Sequence, residues 1–138
     1  NLLYREEERE MIPFCEDQKI AITPYSPLAS GRLTRDWTGD TKRSLTDQTS
    51  KMKYDQTMDQ DRVIVERVAQ VAEELDVKRA QVALAWLMQK EVVTVPIIGA
   101  TKESHLLDAL PAIDVTLTPE QVAFLEEPYL PHQVVGAR

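Results

Sequence analysis

Two short apolar runs decide what this chain can fold into. Ile20-Ala21-Ile22-Thr23-Pro24-Tyr25 and Val92-Val93-Thr94-Val95-Pro96-Ile97-Ile98 are too short for helices and too continuous for half-buried strands. Runs apolar on both faces read as strands of a parallel sheet covered by helices. The text around them is helical. Arg5 to Gln18 reads as a helix with Glu6, Glu7 and Glu8 in its first turn and Pro13 as a kink or a restart. Asp59 to Leu75 is amphipathic through Ile64, Val68, Val71, Ala72 and Leu75, and Arg79 to Gln89 is apolar nearly all round. A further helix is expected behind Thr101 as cap, and another behind Thr118-Pro119-Glu120-Gln121, where Thr caps, Pro opens the helix and Gln closes a capping box. Ser26 to about Met58 shows no sustained period and reads as a long loop. Strand alternating with helix is an α/β pattern. Yet two buried parallel strands leave both outer edges bare, so the chain is organised like part of something larger.

Composition removes several classes of function. The 138 residues carry 16 basic and 23 acidic side chains, a net charge of −7, which gives no basic face for nucleic acid. No stretch approaches the ~18 apolar residues of a membrane helix. Cys15 is the single cysteine, so an internal disulfide and a multi-thiolate metal site are excluded, and on an apolar helix face it reads as a buried, inert thiol. With only His105 and His132 besides, no metal site is expected. The four glycines are too scattered for G-x-G-x-x-G or Walker loops. Neither serine near Tyr25 sits in a G-x-S-x-G elbow, and neither histidine has an evident orienting partner, which disfavours acyl transfer. The chain opens Asn1-Leu2-Leu3-Tyr4-Arg5 with no initiator Met and no leader, so mid-protein text of a cytoplasmic protein is expected.

In parallel α/β architectures, ligands bind beyond the carboxyl ends of strands. Two segments fall there. Tyr25-Ser26-Pro27-Leu28-Ala29-Ser30-Gly31-Arg32-Leu33 offers an aromatic ring and hydroxyls, where Tyr25 either stacks a planar ligand or packs as a strand-end aromatic. Gly99-Ala100-Thr101-Lys102-Glu103-Ser104-His105-Leu106-Leu107-Asp108 offers close backbone approach, helix N–H groups and two basic side chains, which suits an anion or an ordinary turn.

Taken together, Tyr-Ser-Pro-Leu-x-x-Gly-x-Leu from Tyr25 and Val-Pro-Ile-Ile-Gly-Ala from Val95 resemble the aldo-keto reductases. So does Arg79-Ala80-Gln81-Val82-Ala83-Leu84-Ala85-Trp86-Leu87 between them. The opening residues and Pro128-Tyr129-Leu130-Pro131-His132 are similar to the bacterial YajO-like branch. The resemblance runs through essentially the whole chain.

It implies an α/β fold that is the C-terminal part of a (β/α)₈ TIM barrel, about strands 7 and 8 with flanking helices, incomplete as a barrel. Residues 1–138 would form that portion, with 26–58 as a long cofactor-side loop and 118–138 as C-terminal helix and tail. The implied activity is NADP(H)-dependent hydride transfer that reduces aldehydes, ketones or sugars to alcohols. Tyr25 matches the aromatic stacked on the nicotinamide. Ser26, Pro27, Leu28 and Ser30 match the lining of the pyrophosphate, with Arg32 and Arg43 as phosphate partners. Gly99, Ala100, Thr101, His105 and Asp108 match positions around the adenosine 2′-phosphate and adenine. Many members carry Lys-Ser where this chain has Gly99-Ala100, Arg or Gln at 105, and Glu-Asn where it has Asp108-Ala109. Those departures leave NAD(H) open beside NADP(H). The family's catalytic Asp, Tyr, Lys and His set is absent, so no catalytic residue is assigned and the isolated chain is expected to be inactive. The expected partners are a small carbonyl or sugar substrate and, for the fold itself, another copy or a missing N-terminal half; no nucleic acid and no membrane are expected. The alternatives are a non-catalytic, nucleotide-binding regulatory barrel of the channel β-subunit kind and, more remotely, a helix-turn-helix between Val68 and Met88.

Overall fold

The computed structural model describes residues 1–38 and 46–134. Within them run helices α1 (Met11–Asp17), α2 (Gln48–Tyr54), α3 (Met58–Glu74), α4 (Arg79–Met88), α5 (Glu103–Ala109) and α6 (Pro119–Glu126). Short 3₁₀ turns occupy Glu6–Glu8, Ala29–Thr34, Asp55–Thr57 and Leu110–Asp114.

The core forms where the periodicity is strongest. Ile64, Val65, Val68, Val71 and Ala72 of α3 are buried against Val82, Ala83, Ala85 and Trp86 of α4. Leu125 of α6 and Leu2 and Leu3 complete this cluster. A smaller one joins Leu84 to Ala109 and Ala112. Every residue from Gln81 to Leu87 is buried, so α4 has no polar face of the kind a helix needs to read a major groove. Helix α6 begins as expected: Thr118 Oγ1 accepts from the Gln121 N–H at 3.2 Å, and the Gln121 side chain accepts from the Thr118 N–H at 3.0 Å.

Three expectations need correction. The first helix is split, with a 3₁₀ turn at Glu6–Glu8 and α1 starting only at Met11. Pro13 thus lies in the first turn of α1, where its missing N–H costs nothing. The segment after Ser26 is not all loop, because Asp47 accepts from the Ser50 N–H at 2.9 Å and starts α2, which buries Ser50 and Tyr54 one turn apart. Helix α5 is capped at Lys102 rather than Thr101, without a side-chain acceptor.

The two apolar runs pair in parallel, but only through isolated bridges at Ile22–Val93 and Tyr25–Ile97. Between the bridges one side holds an extra residue, as in a bulge. Pro24 and Pro96 also lack donors, so no continuous ladder forms. Among the described residues there is no strand in the full sense. The pairing bonds are the Ile22 N–H to Val92 O (3.2 Å), the Thr94 N–H to Ile22 O (3.0 Å) and the Ile97 N–H to Pro24 O (2.9 Å).

Candidate functional site

The parallel bridge at Tyr25–Ile97 fixes the site's geometry. Because the runs are parallel, the chain leaves both at the same edge. Tyr25-Ser26 and Gly99-Ala100-Thr101 therefore emerge side by side, as ligand loops do in parallel α/β proteins.

Tyr25 is 63% exposed, an unusual position for an aromatic ring at the end of a paired run. It is not bare. Lys53, in the last turn of α2, places its ammonium 4.5 Å from the Tyr25 ring centroid and donates to the Tyr25 hydroxyl. The same ammonium lies 5.2 Å from the Tyr4 ring. Two rings and one cation thus form a small cage at the mouth of the site.

The backbone after Tyr25 is strained. Ser26, Ala29 and Ser30 have φ of 54°, 49° and 57°, the left-handed region that costs a residue with a Cβ about 1–3 kcal/mol. Gly31 (φ 86°) continues the turn without that penalty. Local bonds hold it: Ala29 N–H to Ser26 O at 3.0 Å, Ser30 N–H to Ser26 Oγ at 3.3 Å and Gly31 N–H to Leu28 O at 2.9 Å. Asn1 ties the turn to the core, its Nδ2 donating to Ser26 O (3.0 Å) and to the Tyr54 hydroxyl (3.1 Å). Burial pushes that phenol up to about 12, against the pull of the Asn1 bond. Pro27 is buried beneath the turn, whereas Leu28 and Ser30 stay partly exposed.

Arg32 is committed elsewhere. Its guanidinium donates to Ser50 Oγ (3.3 Å) and Asp55 Oδ1 (2.5 Å). It also lies 5.4 Å from both the Trp37 and Tyr54 rings. Arg43 lies outside the described residues.

On the second segment, Gly99 faces open space, with no atom within 4 Å of where a Cβ would sit. Gly99, Ala100, Thr101, Lys102 and His105 are exposed. Asp108 is paired with Lys78 at 2.5 Å, while its carbonyl accepts from Gln81 Nε2 at 2.8 Å. The structure thus gathers Tyr25, Ser26, Gly99, Ala100 and Thr101 at one edge and places His105 in the first turn of α5. It ties Arg32 and Asp108 to partners of opposite charge.

Lys53, Asn1 and Tyr54 are the participants that the sequence pattern does not single out. Asp47 at the start of α2 is the one local signal that points toward Lys53. His132 also departs from expectation. Its Nε2 lies 2.9 Å from Asp61 Oδ1, both side chains only 1% exposed, while its Nδ1 is buried without a partner. The His132 N–H and the Tyr129 hydroxyl both donate to Glu6 Oε1, at 2.8 and 2.7 Å. This knot holds residues 129–132 against α3 and carries no nucleophile.

Among the described residues no helix is long and apolar enough to cross a membrane. The model for the aldo/keto reductase family matches residues 1–129. Versiconal hemiacetal acetate reductase of Aspergillus parasiticus is 38% identical over 136 residues, covering 97% of this chain and 39% of its own length. A Schizosaccharomyces pombe protein with a provisional aryl-alcohol dehydrogenase assignment is 42% identical over 139 residues, covering 99% of this chain and 38% of its own. An NADP⁺-dependent aryl-alcohol dehydrogenase of Phanerodontia chrysosporium is 33% identical over 137 residues, covering 92% and 34%. The chain spans about two fifths of the length of the first two of these relatives.

Proposed function

Since the chain belongs to the aldo/keto reductase family, we propose that it supplies part of the cofactor site in an NADP(H)-dependent reductase of small carbonyl compounds. The observation that carries this reading is the emergence of Tyr25 and Gly99 from one edge of a parallel pair. The residues fit the cofactor at two places. The exposed Tyr25 ring offers a platform for a planar ring, and the open backbone at Gly99 through Thr101 leaves room for the adenosine end. Lys102 and His105 are the exposed basic side chains there. When bound, the cofactor supplies the hydride that converts a carbonyl to an alcohol.

The chain's own part is binding and orientation. Tyr25 stacks and so fixes which ring face is presented. The left-handed turn at Ser26 to Gly31 follows directly on Tyr25, with the Ser30 hydroxyl donating to Asp47 Oδ2 at 3.4 Å, and Asn1 anchors that turn to Tyr54. The proton of the new alcohol comes from residues outside this chain, consistent with the absence of the family's Asp, Tyr, Lys and His set. Aromatic aldehydes are the substrates to test first, because two of the relatives above carry aryl-alcohol dehydrogenase names. Aliphatic aldehydes, ketones and sugars follow, with NAD(H) as the comparison cofactor. The YajO-like branch belongs to the same reading and rests on residues 1–5 and 128–132; a cytoplasmic setting is proposed with it.

The test is a fluorescence titration of the full-length protein carrying this chain with NADPH. Tyr25→Ala should weaken binding about tenfold, the scale of one lost aromatic stacking contact. Equal affinities for the two proteins would overturn the assignment of Tyr25.

A further inference from the structure

We infer that Lys53 makes the site prefer the reduced over the oxidised cofactor; this rests on the reading that Tyr25 stacks the nicotinamide. The inference starts from the cage at the site mouth. The Lys53 ammonium sits 4.5 Å from the Tyr25 centroid and 5.2 Å from that of Tyr4, and donates to the Tyr25 hydroxyl. Among the described residues no carboxylate pairs with it. It is carried by the last turn of α2, and two rings rather than one fix its place. A cation held this way adds to the electrostatics at Tyr25.

The two redox states of a nicotinamide differ by one charge on the ring. The oxidised ring is cationic and the reduced ring is neutral. A ring stacked on Tyr25 shares that side chain with the Lys53 ammonium, so only the oxidised form meets a like charge. The ammonium therefore weakens binding of NADP⁺ while leaving NADPH nearly untouched. Between like charges a few ångströms apart near a solvated surface, such a repulsion corresponds to roughly three- to tenfold in the affinity ratio. A reductase gains from this preference, because product cofactor leaves more readily than reactant cofactor.

The experiment measures two dissociation constants in the full-length protein that carries this chain. NADPH binding is read from its own fluorescence, and NADP⁺ binding from displacement of NADPH in the same cuvette. The readout is the ratio of the NADP⁺ constant to the NADPH constant. Lys53→Met keeps the aliphatic stem and removes the charge, and should lower the ratio three- to tenfold. Lys53→Arg keeps a cation and should hold the ratio near the wild-type value. In the unaltered protein the ratio should fall as salt rises, a measurement that needs no variant. If Lys53→Met shifts both constants by the same factor, Lys53 merely occupies space on the ring and the inference is overturned. A salt-independent ratio overturns it as well. Wild-type protein that binds neither form overturns the Tyr25 reading itself, a result distinct from an unchanged ratio.

Discussion

Glu6 shows how far a single buried residue reaches in this molecule. Its carboxyl is buried, which pulls its affinity for a proton up. Hydrogen bonds from the Tyr129 hydroxyl, the His132 N–H and Arg9 outweigh that and hold it below the usual carboxylate range. The Tyr129 phenol is displaced the other way, upward, by burial and then by the Glu6 carboxylate it donates to. The signs give two limbs. The depressed Glu6 stabilises the fold above the ordinary carboxylate range, and this is lost as pH falls through its folded-state value. The raised Tyr129 contribution is complete below the ordinary phenol value of 10.0 and is lost as pH rises through its folded-state value. Urea midpoints across pH should therefore fall at both acid and alkaline ends. Tyr129→Phe should cost about 1–2 kcal/mol at neutral pH, since Glu6 keeps only some of its donors, and should flatten the alkaline limb. An alkaline limb unchanged in Tyr129→Phe would show that another group carries it. Asp61 and His132 call for a separate variant. Asp61→Ala leaves the buried His132 Nε2 unpaired and should cost about 1–3 kcal/mol, read from the same urea midpoints.

Among the elements, those with a local signature are the ones the sequence identifies. Helix α3 is announced by Ile64, Val68 and Val71 at helical spacing, α4 by its apolar run, and α6 by Thr118, Pro119 and Gln121. The capping box makes a direct test. Thr118→Ala should destabilise by about 1 kcal/mol in a urea titration, while Thr118→Ser should lose much less because it keeps the accepting oxygen. Elements that depend on distant partners are harder to read. The runs at Ile22 and Val93 carry strand composition, yet Pro24, Pro96 and the extra residue between bridges reduce them to isolated pairs. Helix α2 hides within polar text, and its only sign is Asp47 three residues before Ser50. The candidate site divides the same way. Tyr25 and Gly99 are legible because each ends an apolar run. Lys53 is not, because it is 28 residues from the ring it covers and no local pattern links them. His132 and Asp61, 71 residues apart, escape for the same reason.

The whole molecule is marked by surface it does not bury. Met11 and Phe14 of α1 are exposed, as are Val95 and Ile97 on the paired run and Leu106, Leu107, Leu110 and Ile113 along α5 and the 3₁₀ turn after it. Ile113 is 73% exposed. Apolar side chains exposed singly are ordinary, but runs on successive elements mark surface that another body covers. The paired runs also keep unpaired backbone on their outer sides, which templates association. The relatives of which this chain spans about two fifths have further chain that could cover such faces. Expressed by itself, the 138-residue chain is therefore expected to self-associate, to bind a hydrophobic dye at the exposed apolar surfaces and to unfold with low cooperativity. Sedimentation velocity should show species heavier than 15.7 kDa. On the proposed reading, in which the proton donor lies outside these residues, no carbonyl reduction should accompany them. If the chain is part of a longer barrel as proposed, adding the missing portion in trans should reduce both dye binding and association as the bare faces are covered. A monomer that unfolds cooperatively and reduces an aldehyde would show instead that these residues close a fold and a site without further chain.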